Sequence, residues 1–421
     1  MIPMRAVLAF GITVGLAATH SAAALSLPEA IALAQRSNPG LAQSKAEADA
    51  AAARLSIARA GRLPSLTLSG EAGRGNTNLG GFFGIGRSDV SPRAAALELR
   101  QPLFTGGATT AAIDRAREGR DAALIQVGGA KALLTAQAAD AYVAVLTARE
   151  IQALRGAQVR QLTEIAAQAD DRFKAGDATR TDQAQAQARL AQARADLARA
   201  DGEAARSRAH FISVVGAEPD ALDGLPPPPV TPVALADALA VADRSNATLL
   251  AAKAAARAAE AGARFAEAER LPSLALTATA SSVRDQFFPR YRADGVTIGV
   301  QGRWTLFAGG AVSGRIDEAR AGVHAASAGV DAARAQVREA VIGAWEDVTT
   351  SRAVVLAASE QSSASASALD SVRHEVRVGQ KPMLDLLDAE RETLAAQSAL
   401  IAAKGSAVVT AYRLDALLHA E

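Results

Sequence analysis

The chain has 421 residues, of which 49% are hydrophobic but only 4% are aromatic. Because a thick globular core normally uses more Phe, Tyr and Trp, this alanine-rich composition favours thin, closely packed helices. The 45 basic and 44 acidic residues are interspersed and leave a formal net charge of +1, which argues against a nucleic-acid partner. The absence of cysteine excludes disulfides, thiol catalysis and a lipid-bearing N-terminal cysteine.

The N-terminal segment has the pattern of an export signal. Arg5 precedes an apolar run from 6 to 18, and the small residues at 22–24 provide a cleavage site. We predict a signal peptide at 1–24 that is removed after Ala24. No later segment of the sequence supplies about 20 consecutive apolar residues, so we expect no transmembrane helix in the mature chain. If the protein sits in a membrane, strands must hold it there.

The remainder of the chain repeats itself once. The string RLPSL begins at residue 62 and again at residue 270, an offset of 208, whereas LF-x-GG begins at 103 and again at 306, an offset of 203. A period of about 200 residues is far longer than a solenoid repeat and indicates duplication of a whole unit. We therefore divide the mature chain into a first repeat at 25–225, a proline-rich linker at 226–232 and a second repeat at 233–421.

Both repeats contain the same order of elements. A helix ends where Leu precedes Pro, because the residue before proline is pushed into the extended region. Alternating apolar and small or polar residues then indicate strands. After each Gly-Gly pair, a stretch without proline is long enough to form the helices of a coiled coil. The expected elements are a helix at about 28–60, a β-hairpin at 64–104, a long helical hairpin at 108–215, and their counterparts at about 234–269, 272–307 and 311–419.

Four short strands cannot close into a barrel. An open sheet in hydrocarbon would leave unpaired backbone groups, each costing several kcal/mol, and membrane strands occur in closed barrels of about eight or more. Three copies of the chain would supply twelve strands and bring the long helices around one axis. The predicted fold class is thus mainly α with membrane β, in which helical hairpins form a trimeric twelve-helix tunnel on a shared twelve-stranded barrel.

The export signal, the duplication, the LPSL turns, the PLFTGG and TLFAGG junctions and the segment VGQKPMLDLLDAE together resemble the outer-membrane efflux protein family typified by TolC. The resemblance implies a homotrimer in the outer membrane of a Gram-negative bacterium, in contact with membrane lipid and with a large periplasmic part. It also implies an exit duct of a tripartite efflux pump or type I secretion system, working with a periplasmic adaptor and an inner-membrane transporter. It implies no enzymatic activity, cofactor or metal.

The same resemblance points to acidic residues at the periplasmic mouth. Asp385 and Asp388 are three apart, so on a helix they share a face. In the family the acidic residues of this motif line the entrance, and three copies would form two rings of carboxylates that attract cations. An isolated D-x-x-D is more often a solvated helix face. Its position one turn past a glycine tip favours the ring interpretation.

Further family positions fall on a gate. Thr181, Asp182 and Lys381 occupy places that in the family help to hold the mouth shut, and an Asp182–Lys381 link is the expected gate contact. Two residues depart from the family pattern: Val376 replaces a tyrosine and Gln185 replaces an acidic residue. The tips that would meet the adaptor are Arg172, Phe173, Gly176, Arg377, Val378 and Gly379. The two glycines also fit left-handed caps between antiparallel helices.

Two alternatives remain at this stage: a periplasmic adaptor, and a coiled-coil scaffold without a channel. An adaptor would carry one helical hairpin rather than two, and a scaffold would leave the alternating strands unexplained. The sequence contains no phosphate loop, nucleophile elbow or zinc motif. Asn246 fits a glycosylation sequon, but a helix-start role is favoured because the first repeat has an asparagine at the same place. The cargo, whether drug, metal ion, peptide or protein, is not defined by the sequence.

Overall fold

A computed structural model of the chain describes residues 24–78, 80–81 and 86–419. The predicted signal peptide, apart from Ala24, therefore lies outside the described residues. The helices are α1 (Leu27–Ser37), α2 (Pro39–Ala60), α3 (Ala108–Ala175), α4 (Arg180–Val215), α5 (Leu235–Ser245), α6 (Ala247–Glu267), α7 (Ala311–Arg377) and α8 (Met383–Leu418). The strands are β1 (Ser65–Ala72), β2 (Gly75–Asn78), β3 (Arg87–Val90), β4 (Arg93–Phe104), β5 (Ser273–Arg284) and β6 (Arg292–Arg303).

Each of the helices expected at 28–60 and 234–269 is in fact two helices, and an asparagine causes the break. Asn38 has extended backbone angles, and its Oδ1 accepts hydrogen bonds from the amides of Gly40 (2.9 Å) and Leu41 (3.3 Å). Asn246 likewise accepts from the Leu249 amide at 3.1 Å. Because a side chain that caps a helix competes with continuation of the preceding one, the single-helix prediction is wrong. The predicted helix-start role of Asn246 is confirmed.

The predicted four main strands form one antiparallel sheet in the order β1-β4-β5-β6. The central β4–β5 pair joins the two repeats, and its register shifts between Pro102 and Phe104, where proline lacks an amide for the ladder. Strand β6 ends at Arg303 instead of continuing to 307, and the Trp304 indole donates to the Arg270 carbonyl at 3.1 Å. Within the hairpin predicted at 64–104, β2 and β3 form an additional antiparallel pair that was not predicted from the sequence.

The sheet has one apolar and one polar face, because directly paired residues on neighbouring strands point the same way. The polar face carries Ser and Thr side chains and a hydrogen bond of 3.0 Å from Arg100 to Gln301. Large apolar side chains on the other face are not covered by any element among the described residues. We call this the apolar sheet face; its large residues are Leu66, Leu68, Leu97, Leu99, Leu274, Leu276, Val296, Ile298 and Val300.

The helices form a single row rather than a compact bundle. Helices α3 and α7 contain 68 and 67 residues, about 100 Å each at roughly 1.5 Å per residue. Near the sheet α3 lies between α2 and α6, and α6 also contacts α7; towards the other end α3 lies between α4 and α8, and α8 contacts α7. A Cβ on Gly405 would come within 2.7 Å of Thr147, so α8 and α3 are in close contact. The helices at the two edges of this row are exposed to solvent on their outer sides.

A buried tyrosine fastens the ends of the first repeat to its longest helix. The Tyr142 ring is fully buried beside Phe211, and its hydroxyl lies 2.9 Å from the carbonyl oxygens of Leu25 and Asp223. Leu25 also forms a parallel bridge with Leu222. Burial, reinforced by the charge of Asp223, raises the pKa of Tyr142 to about 12. The hydroxyl therefore acts as a permanent hydrogen-bond donor.

Helix α8 has the length and composition of a membrane span, although it lacks a run of about 20 consecutive apolar residues. This helix has 36 residues and contains a window of mean hydropathy 1.3, which meets the length and composition of a membrane span. This helix packs along α3 and α7. Among the described residues α8 is the one helix that meets this test.

We expect Tyr142→Phe to lower the free energy of unfolding by about 1–3 kcal/mol, because the hydrogen bonds to the Leu25 and Asp223 carbonyls are lost. Thermal unfolding in detergent, followed by circular dichroism, measures the change. Tyr412→Phe is the matched control, since Tyr412 is half-buried nearby and its hydroxyl makes no hydrogen bond among the described residues. Equal losses in the two variants would contradict the role of the Tyr142 hydroxyl.

Candidate functional site at the helical tips

The first helical hairpin turns at a glycine. Gly176 has φ = 85°, a left-handed conformation that suits glycine, and follows the last residue of α3. The Asp177 amide donates to the Arg172 carbonyl at 2.8 Å, and the Gly176 amide donates to the Phe173 carbonyl at 3.1 Å. These bonds satisfy carbonyls that the helix end leaves free. The predicted glycine cap at this tip is confirmed.

A capping box begins α4 directly after this turn. Asp182 Oδ2 accepts hydrogen bonds from the Thr179 amide (3.0 Å) and hydroxyl (2.8 Å), and the Asp182 amide donates back to that hydroxyl at 3.2 Å. The hydrogen bonds from the Thr179 backbone and side chain hold the pKa of Asp182 below its ordinary value. Asp182 is thus ionised at neutral pH, and its carboxylate already accepts hydrogen bonds from Thr179 of its own chain.

The second helical hairpin, formed by α7 and α8, also turns at a glycine, but its second helix is capped differently. Gly379 has φ = 77°, and the Gln380 amide donates to the Glu375 carbonyl at 2.8 Å. Pro382 stands at the start of α8 and provides no side-chain cap. Lys381 Nζ lies 2.8 Å from Glu375 Oε2, and this hydrogen bond, helped by the two charges, raises the pKa of Lys381.

An apolar contact holds the two tips of one chain side by side. Leu387 of α8 is only 3% exposed and packs against Leu162 and Ile165 of α3 and Ala193 of α4. Its neighbour in sequence, Asp388, therefore lies on the boundary between the two hairpins. The apolar contact fixes the first turns of α8 against the first hairpin.

Polar contacts surround this apolar cluster and join the hairpins further. Arg189 of α4 forms an ion pair of 2.9 Å with Asp388 of α8. Glu390 of α8 accepts from Arg373 of α7 at 2.7 Å and from Gln161 of α3, and its side chain is only 12% exposed. Sequence reasoning missed these contacts. Arg189 and Asp388 are 199 positions apart, and the many surface arginines give no signal that selects Arg189.

The structure separates the predicted site residues into distinct environments. Asp385 makes no side-chain hydrogen bond or ion pair among the described residues, whereas Asp388 is paired with Arg189. Asp182 and Lys381 are not bonded to each other within one chain, because each has the local partner described above. An Asp182–Lys381 contact between neighbouring copies stays a prediction.

The remaining predicted positions lie on the surface of the two tips. Phe173 and Val378 are 38% and 67% exposed, which is high for apolar side chains, and Arg172, Arg377 and Thr181 are also exposed. The family-divergent residues Val376 and Gln185 are half-buried. The tips thus present apolar and basic side chains next to two glycines.

Comparison with known proteins finds the same architecture. A family model described as outer membrane efflux protein matches residues 30–217 and again residues 239–419. The outer membrane efflux protein BepC of Brucella suis is 32% identical over 396 residues, which cover 93% of this chain and 85% of that protein.

Solved structures share the fold at lower identity. The CmeC outer membrane channel of Campylobacter jejuni aligns with a TM-score of 0.84 at 15% identity, covering 94% of this chain and 85% of that one. The open state of the MtrE outer membrane channel of Neisseria gonorrhoeae aligns with a TM-score of 0.78 at 22% identity, covering 93% and 88%.

We expect Glu390→Ala to destabilise the tip by about 1–3 kcal/mol, because Arg373 and Gln161 lose their shared acceptor in a mostly buried position. Faster amide hydrogen exchange in the first turns of α8 measures the loss. Glu392→Ala removes an exposed carboxylate two residues further along and should leave the exchange unchanged. If both variants accelerate exchange equally, Glu390 does not join the hairpins.

Proposed function

The chain belongs to the outer membrane efflux protein family, and on that premise we propose that three copies form an outer-membrane exit duct. The duct passes cargo from an inner-membrane transporter and its periplasmic adaptor to the outside of a Gram-negative cell. The sheet spans the outer membrane, and the helices extend into the periplasm. Family and fold are those of channel proteins rather than enzymes.

The exposed apolar sheet face is the observation that carries the proposal. Seven of its large side chains are 40% or more exposed in the single chain: Leu66, Leu68, Leu97, Leu274, Val296, Ile298 and Val300. Water is a poor solvent for such a surface, and a soluble monomer rarely exposes so large an apolar patch. Hydrocarbon covers it without cost, which favours a membrane barrel over the adaptor and the scaffold.

The free edges of the sheet require additional copies of the chain. Strands β1 and β6 each pair on one side only, and in hydrocarbon every unpaired backbone group costs several kcal/mol. Three copies would pair β6 of one chain with β1 of the next and give 3 × 4 = 12 strands. The helices continue from the strands in the same lateral order, so closing the sheet would also close the row of helices into a tunnel.

At the mouth, the acidic pair would act unequally. Asp385 lies in the first turn of α8 and has no side-chain partner in the part of the chain that the structure describes, so three copies would offer three available carboxylates. Asp388 shares its charge with Arg189 and would contribute a weaker ring. Rings of carboxylates favour cations and bind multivalent cations most strongly.

The gate and the docking surface would use neighbouring parts of the tips. Lys381 would exchange Glu375 of its own tip for Asp182 of the adjacent copy when the mouth closes, with Thr181 beside the contact. Exposed ion pairs contribute only about 0–1 kcal/mol each, which suits a contact that must open. The adaptor would meet the exposed tip residues Phe173 and Val378, where glycines allow backbones to approach closely.

We expect the purified wild type to give a small, cation-selective conductance in planar bilayers that trivalent cations block. In Asp385→Asn/Asp388→Asn, half-block should require about tenfold more cation or higher, because the rings lose their charge. Asp370→Asn, an exposed carboxylate on α7 before the tip, is the matched control and should retain the block. A folded protein without conductance would contradict the duct, and block that survives in the double variant would contradict the ring.

We expect Lys381→Gln and Asp182→Asn each to raise the conductance, since either change removes one charge of the gate contact while Asn preserves the capping acceptor. The double variant should conduct like the single ones, because both changes break one contact. Glu375→Gln is the control: it frees Lys381 from its own tip and should leave the mouth closed. Strictly additive effects of the two changes would exclude a direct Lys381–Asp182 contact.

A further inference from the structure

An arginine row crosses the sheet at the end farthest from the helices. Arg93 of β4 pairs directly with Arg284 of β5, and Arg284 pairs directly with Arg292 of β6. Direct partners on neighbouring strands point to the same face, and in this register that face is the apolar sheet face. We call these three residues the arginine row.

The row lies at the height where hydrocarbon ends. Leu274, at the helix-proximal end of the apolar sheet face, is ten residues before Arg284 on the same strand. Ten residues span about 33 Å along a strand, or about 23 Å across a membrane if the strand is tilted by roughly 45°. The lipid-facing apolar band of a membrane barrel is about 25 Å tall. The row therefore falls at the headgroup level of the leaflet away from the helices.

An aromatic cluster marks the same boundary. The Tyr291 ring packs edge-on against Phe287 and Phe288, with centroid distances of 5.1 and 5.3 Å. The hairpin loop that carries these rings is held by hydrogen bonds from the Asp285 amide to the Tyr291 carbonyl and from the Arg290 amide to Asp285 Oδ1. Aromatic rings gather at the interface between hydrocarbon and headgroups.

The arginine row carries more positive charge than its own sheet neutralises. Asp294 is the one acidic residue of the four strands that lies on the apolar sheet face. Its carboxylate lies 2.9 Å from Arg292 and 3.6 Å from Arg284. Three guanidinium groups and one carboxylate leave 3 − 1 = +2. Directly opposed like charges are destabilising, so an external anion would stabilise this arrangement. Arg284 Nη1 is buried and has no hydrogen-bond partner among the described residues.

We propose that the arginine row binds the phosphate groups of anionic lipid headgroups in the outer leaflet. The proposal rests on the membrane orientation given under the proposed function. Guanidinium groups bind phosphate through paired N–H donors, which a single lysine cannot do. The position on the lipid-facing side, directly above apolar side chains, favours a phosphate that belongs to a lipid over a free phosphate ion. The row would fix the height of the barrel and hold a shell of lipid around it.

The test uses the full-length assembled protein in detergent, titrated with phosphatidic acid and, separately, with phosphatidylcholine of the same acyl chains. Native mass spectrometry counts the lipids that remain bound. We expect the wild type to bind phosphatidic acid at least about tenfold more tightly than phosphatidylcholine, and Arg284→Gln/Arg292→Gln to lose this preference. Arg100→Gln is the matched control, because it removes an arginine from the polar face of the same sheet.

Separate controls test whether the variants fold and whether the bound phosphate belongs to a lipid or is a free ion. Arg284→Lys/Arg292→Lys retains the charge and should keep part of the preference, which separates charge from misfolding. An equal loss in Arg100→Gln, or no preference in the wild type, would overturn the proposal. Release of phosphatidic acid by millimolar inorganic phosphate would also overturn it, in favour of a free-ion site. The conductance of Arg284→Gln/Arg292→Gln should equal that of the wild type, so failure of lipid binding is distinguishable from failure of the duct.

Discussion

The backbone hydrogen bonds at the two free edges of the sheet are the constraint on which the rest of the structure depends. Four strands with an exposed apolar face cannot remain open in hydrocarbon, because the edge groups of β1 and β6 would find no partner there. The strand order β1-β4-β5-β6 is repeated by the helices α2, α3, α6 and α7, which adjoin these strands in sequence. Closure of the sheet therefore determines the lateral arrangement of the whole helical part.

The duplication is visible in the polar contacts that fasten each repeat to itself. Ser37 and Ser245 each donate to the last carbonyls of the helical hairpin in their own repeat, at 3.0 and 2.6 Å. Tyr142 and Trp345 are 203 positions apart, and both donate hydrogen bonds to backbone carbonyls. The Tyr142 hydroxyl contacts carbonyls near the ends of its repeat, and the Trp345 indole contacts the linker. A buried ring with one polar atom can pack in an apolar core and still hold an irregular segment, which explains its use at both positions.

The contacts at the tips have consequences for opening of the mouth. Leu387 and the Arg189–Asp388 pair join α8 to the first hairpin within one chain. A movement that separated the hairpins of a single copy would expose Leu387 and break the hydrogen bond between Gln161 and Glu390. Movement between copies breaks none of these contacts. With the proposed gate, the mouth would open by breaking exposed ion pairs between neighbouring copies, which contribute only about 0–1 kcal/mol each.

The sequence alone determined the duplication, the presence of the four main strands, the glycine turns at Gly176 and Gly379, and the family of an outer-membrane exit duct, because each depends on local pattern or on whole-chain similarity. It did not show that asparagine divides Pro28–Ala60 into two helices, since a side-chain cap and a continuing helix compete closely in free energy. The tertiary structure alone decided which charges meet. Arg189 and Asp388 belong to different repeats, and Arg93, Arg284 and Arg292 come together only through strand register, which sequence spacing does not encode.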